Sequence, residues 1–139
     1  MTVTAKNAQE QFVLDFFEAL SSGDLERLRP FLTDASVWKP MVRDIPGAGE
    51  YHGQDIIDVF LAPVRGMFKP GDPKVHVAAL ISDGDMVAVE STSTGETQDG
   101  KIYDNSYAWV FRLKDGKLDR LHEYMDSHYV ARLFGMVEA

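Results

Sequence analysis

The stretch SYAWVFRLKDGKLDRLHEYMD, Ser106 to Asp126, decides how this chain is read. Tyr107, Trp109 and Phe111 alternate with Ala108, Val110 and Arg112, the period of a strand with one buried face. Asp115-Gly116 signals a tight turn, and a second run follows as Leu118 to Asp126. Glu123 falls between Leu121 and Met125, on the side the alternation gives to the interior. A carboxylate there is either a pocket acid or base, or a structural charge held by an arginine such as Arg112 or Arg120. Pattern alone leaves both readings open.

Working backward, Asp99-Gly100 and Asp83-Gly84 repeat the turn signal and separate the runs KVHVAALIS, MVAVESTSTGET and IYDNSYAWVFRL. Together with LDRLHEYMD these predict a four-strand antiparallel meander. Upstream, Phe12, Val13, Phe16, Phe17 and Leu20 have helical spacing over 8–20, ending at SSGD. A second short helix, LERLRPFL, is perturbed by Pro30. ASVWKP reads as a short strand, MVRDIPGAGEYHG as a loop, and QDIIDVFLAPVRGMF as a helix that Pro63 breaks or kinks. HYVARLFGM reads as a closing helical turn. The order predicts an α+β fold, a curved antiparallel sheet wrapped around N-terminal helices in one domain over 1–139, with little order expected over 1–7. A sheet curled over helices forms a cup whose interior suits a ligand.

The hairpin register decides which polar groups share that interior. A three-residue loop, Lys114-Asp115-Gly116, sets Leu113 opposite Lys117, hence Tyr107 opposite Glu123 and Asn105 opposite Met125. A two-residue loop would put Glu123 opposite Ala108 instead. The three-residue loop Gln98-Asp99-Gly100 sets Ser91 opposite Tyr107 and Ser93 opposite Asn105. One face then gathers Ser91, Ser93, Asn105, Tyr107 and Glu123 among Val87, Val89, Trp109, Leu121 and Met125, the mixture of a pocket lining.

Composition narrows the function classes. Fourteen basic residues against twenty-two acidic ones give a formal net charge of −8, which opposes nucleic acid and anionic membrane surfaces as partners. The absence of cysteine removes disulfides, thiolate metal sites and a cysteine nucleophile. No run has the apolar length of a membrane span, and the opening MTVTAKNAQEQF lacks a signal-peptide pattern, so a cytoplasmic location is expected. His122, His128 and Asp126 match no strong ligand spacing, and no phosphate-binding glycine loop occurs; no metal or other cofactor is expected.

Three segments, VLDFFEALSSGDLERLRPFLTDASVW, YHGQDIIDVF and YAWVFRLKDGKLDRLHEYMD, resemble the nuclear-transport-factor-like cone fold of SnoaL-like polyketide cyclases, ketosteroid isomerases and limonene-epoxide hydrolases. The resemblance covers nearly the whole chain and implies twofold dimers paired sheet to sheet, here across Ala108, Val110, His122 and Tyr124. It carries little of the relatives' chemistry over. The hydrolases' Arg-x-Asp pair falls on Ser91 and Ser93, their Tyr-x-Asn pair on Trp38 and Pro40, and their second aspartate on Glu123. The isomerases' aspartate base falls on Lys39 and their first-helix tyrosine near Phe16. Epoxide hydrolysis and classical ketosteroid isomerisation are disfavoured, while the acid/base aspartate of SnoaL-type cyclases is matched most nearly by Glu123.

The expected site therefore has Glu123 as general acid/base and Tyr107 as its hydrogen-bonding partner. Asn105, Ser91, Ser93, Trp38, Trp109, Phe17, Met125 and His52 are the expected substrate contacts. Trp38, Trp109, Phe16, Phe17, Phe60 and Phe68 suit a planar hydrophobic small molecule as well as they suit a core. The reading is a cofactor-free isomerase, cyclase or lyase acting on a cyclic polyketide-, steroid- or terpene-like carbonyl compound. The competing class is a non-catalytic small-molecule-binding or interaction domain.

Overall fold

A computed structural model describes residues 3–137. Helix α1, Ala8–Ser21, begins where the Asn7 side chain accepts from Glu10 N at 2.9 Å. Its apolar stripe buries Val13, Phe16, Phe17 and Leu20. The segment 1–7, expected to have little order, lies partly outside the described residues at 1–2, while Val3 rests against the core. At Gly23 the chain turns with φ +83, and an added Cβ would lie 2.8 Å from Gly71 Cα, so a side chain is excluded there. Asp24 caps α2, Leu25–Phe31, a tight 3-10 turn containing Pro30.

Strand β1, Val37–Pro40, and β2, Tyr51–His52, follow, and then a helix, α3, over 56–65. Its first part, Ile56–Leu61, is wound as a π-helix and its last, Ala62–Arg65, as an α turn. The winding changes from π to α beside Pro63 and the helix ends two residues later at Arg65, so the expected break takes the form of a change of winding at the proline. The meander is formed by β3, Lys74–Asp83, β4, Met86–Glu96, β5, Ile102–Lys114, and β6, Lys117–Met125, and α4, Ser127–Leu133, closes the chain.

The expected α+β cone fold is the observed one, with the expected short strand β1 and one unexpected strand, β2, extending the sheet at its edge. The six strands run β2-β1-β6-β5-β4-β3, and β1 lies parallel to β6, Trp38 beside Leu121 and Pro40 beside Glu123. β1 is the short strand read in ASVWKP and β2 falls in the segment read as a loop; the pairing of β1 with a strand 83 residues on carries no local signal, so only the meander's pairings were expected. Phe16, Phe17, Trp38, Trp109 and Phe111 meet at the centre of the concave face, with ring centroids 4.9–6.0 Å apart.

The register of β4 on β5 is the expected one, Ser91 opposite Tyr107 and Ser93 opposite Asn105. That of β5 on β6 is not. The loop has two residues, Asp115 at φ 52 and Gly116 at φ 72, with Lys114 opposite Lys117. A bulge between Arg112 and Leu113 then moves the pairing on by one more residue. Trp109, not Tyr107, stands opposite Glu123, and Met125 stands opposite Tyr107, not Asn105. Loop and bulge together shift the register by two, so Glu123 keeps the concave face although its neighbour changes.

Candidate functional site

Glu123 is 7% exposed on the concave side of β6. It lines a cavity of about 80 Å³ between the sheet, α3 and α4. Trp38 Nε1 donates to its Oε1 at 2.9 Å. Burial raises the carboxyl pKa to about 7, and the Trp38 hydrogen bond and the positive charge of Arg65 pull against that rise. Near neutral pH both protonation states are therefore populated, the condition under which a carboxyl both gives and takes a proton. Arg112 and Arg120 face each other across β5 and β6, and Glu123 makes no ion pair among the described residues.

Tyr107 lines the same cavity and stacks on Trp109, ring planes 12° apart. Its hydroxyl lies 2.6 Å from that of Tyr103, and Asn105 Nδ2 donates to Tyr103 at 3.0 Å. Asn105 Oδ1 accepts from Ser106 N at 2.9 Å, which fixes the amide orientation because a backbone N–H can only donate. Tyr103 accepts from Asn105 and shares one hydrogen bond with Tyr107 in which either hydroxyl can donate, and both phenols line the cavity. Burial pushes the Tyr103 phenol up to about 12 and Tyr107 well above its ordinary value, so both stay protonated donors.

Among the expected substrate contacts, Trp38, Trp109, Ser93 and Met125 line the cavity with Glu123 and Tyr107. The other four lie outside it. Ser91 sits behind the wall, accepting from Trp109 Nε1 at 2.8 Å. Phe17 is packed edge-on between Trp109 and Phe111 in the core. Asn105 is buried beneath Tyr103. His52 is exposed on β2, with its Nε2 3.1 Å from Glu50 Oε2.

Two polar groups of the cavity escaped the sequence reading, Arg65 and Tyr103. Tyr103 was legible in principle, since it shares the alternation of Asn105 and Tyr107. Arg65 was not: it comes from the far end of α3, and nothing local aims it at the sheet.

The SnoaL-like domain model matches residues 13–121. The chain belongs to the SnoaL-like family. Among curated proteins none matches it by sequence. Solved structures similar to this SnoaL-like chain include TerC co-crystallised with polyporic acid, at 19% identity and TM-score 0.82, covering 93% of this chain and 99% of that one. An NTF2-like protein of Burkholderia pseudomallei K96243 is 19% identical with TM-score 0.81, covering 91% and 97%. A protein of Catenulispora acidiphila with the ketosteroid isomerase-like fold, in complex with trimethylamine, is 14% identical with TM-score 0.76, covering 91% and 94%. At these identities the likenesses show the fold. Among the described residues of this SnoaL-like chain, no helix is long and apolar enough to cross a membrane.

Proposed function

We propose that this SnoaL-like chain is a cofactor-free enzyme that binds a small hydrophobic, cyclic carbonyl compound of polyketide, steroid or terpene type and moves a proton with Glu123. The observation that carries the reading is a buried carboxyl, held near neutral pKa by burial, in a largely apolar cavity lined also by two hydrogen-bonded phenols. Tyr107 would bind the carbonyl oxygen and take up the negative charge that develops there, while Glu123 exchanges a proton with the adjacent carbon. The outcome would be isomerisation, cyclisation or elimination, according to the substrate. Small organic ligands in the relatives TerC and the Catenulispora protein accord with a ligand-holding cavity.

The second reading, a binding domain without catalysis, is favoured by the presence of a single carboxylate among the cavity-lining residues. A panel of steroid, terpene and polyketide-like ketones in deuterium oxide separates the two. Exchange of the protons next to the carbonyl, followed by NMR, is expected with the wild type and not with Glu123→Gln. Ligand-induced thermal stabilisation without exchange would favour the binding domain, and neither effect would reject both.

A further inference from the structure

Arg65 ends α3 and lines the cavity that holds Glu123 and Tyr107. Its Nη2 donates to Pro73 O at 2.7 Å, the one hydrogen bond its side chain makes to the described residues. A guanidinium carries five N–H donors in a planar fork, so most of its donor capacity remains unspent. It makes no ion pair among the described residues. The nearby Asp72, whose charge acts on Arg65, is not among the cavity-lining residues, and its Oδ2 accepts from Glu96 N at 3.0 Å.

The walls beside Arg65 are apolar, Leu61, Val64, Phe68 and Trp109 among them. The other groups of the cavity that titrate do not supply a dependable counter-charge. Tyr103 and Tyr107 remain neutral phenols, and Glu123 is only partly ionised at neutral pH. Burial lowers the Arg65 pKa, and the nearby acidic groups Tyr107, Asp72 and Glu123 offset that only in part. A partly buried, forked cation facing a mostly apolar space selects a ligand with a complementary anion at one end and ring carbon elsewhere.

We propose that Arg65 is the anion-binding group of this cavity, and that its ligand is an apolar ring system carrying one acidic oxygen function, a carboxylate or an acidic enol. The inference rests on the ligand-binding reading above and narrows its substrate class from neutral ketones to their acidic counterparts. With the anion seated on Arg65, the opposite end of the ring system is left facing Glu123 and Tyr107. Specificity then comes from the distance between the acidic oxygen and the reacting carbon.

Matched pairs of probes test it by calorimetric titration: naphthoate against the uncharged naphthamide, and hydroxynaphthoquinone, an anion at neutral pH, against its methyl ether. The wild type is expected to bind at least one anion about tenfold more tightly than its neutral partner. Arg65→Met is expected to lose that preference and keep the affinity for the neutral compound. Should Arg65→Met lose its fold through the freed Pro73 carbonyl, Arg65→Gln, whose amide still donates, carries the same comparison. Equal wild-type affinity for both members of each pair overturns the inference while leaving the ligand cavity standing, as does a preference that survives loss of the guanidinium. Failure of all four compounds to bind at millimolar concentration overturns the ligand-cavity reading and this inference with it.

Discussion

The indole of Trp38 donates to the carboxyl of Glu123 at 2.9 Å across the parallel pair β1 and β6. Trp38 is 1% exposed, so neither group has bulk water as an alternative partner. The donated hydrogen bond stabilises the carboxylate and opposes the effect of burial. Trp38→Phe removes the donor and keeps most of the ring. Its expected effect is a further rise of the Glu123 pKa, seen as an alkaline shift of the carboxyl NMR titration. The packing cost should stay below the roughly 3–5 kcal/mol typical of truncating a buried aromatic to alanine.

Stability should depend on pH through the same carboxyl, and the sign is unusual for a glutamate. Below about 4.5 the group is protonated folded and unfolded; between 4.5 and 7 the unfolded chain releases the proton and the folded one retains it. The folded state binds more protons there, so stability falls as pH rises, by about 3 kcal/mol once both states are ionised. Glu10 acts oppositely: the Ser82 hydroxyl donating at 2.6 Å holds its carboxyl below the usual range, and that contribution is lost as pH falls through the lowered pKa. Glu123→Gln keeps an acceptor for Trp38 and removes the charge. Its melting temperature should match the wild type near pH 4.5 and exceed it increasingly toward pH 8, as calorimetric scans across that range would show. A structural ion pair predicts the reverse, a loss on substitution at neutral pH.

Tyr107 stacks on Trp109, which stands opposite Glu123, so of the two phenols it is the one placed to share a ligand with that carboxyl. Tyr107→Phe removes the group that faces the ligand, and kcat in the exchange assay should fall by about a hundredfold. Tyr103→Phe removes the hydrogen-bond partner of Tyr107 and should cost about tenfold or less. Equal losses in the two variants would argue against Tyr107 as the phenol that meets the ligand.

The convex face of the sheet leaves apolar surface uncovered, with Ile81 73% and Tyr124 41% exposed and Ala108 and Val110 in the rows between. We expect two copies to pair through it, as the family resemblance implies. Sedimentation at micromolar concentration should give a dimeric mass, and Val110→Asp should give a monomer. A wild-type monomer would count against the pairing.

How far the sequence carried is visible at particular positions. The stripe Phe12 to Leu20 and the three Asp-Gly turns located α1 and the meander, because the signals for these elements are local. The β4–β5 register was also legible, since Gly100 at φ +86 closes a three-residue loop. The bulge after Arg112 was not, for nothing in LKDGKLDR distinguishes an extra residue from a longer loop. It cost the correct neighbour of Glu123 but not its face. Pairings between distant segments were out of reach: Trp38 with Glu123, and Arg65 with the cavity. Both depend on tertiary packing that a linear pattern does not encode.

The central claim is that Glu123 is a buried acid/base in a ligand cavity, and its own titration tests that most directly. With glutamate labelled at the carboxyl carbon, and the Glu123→Gln variant assigning the signal, NMR should place the midpoint at about 7. A midpoint at or below the ordinary 4.5 would show a carboxylate stabilised as a permanent charge, and would contradict the account.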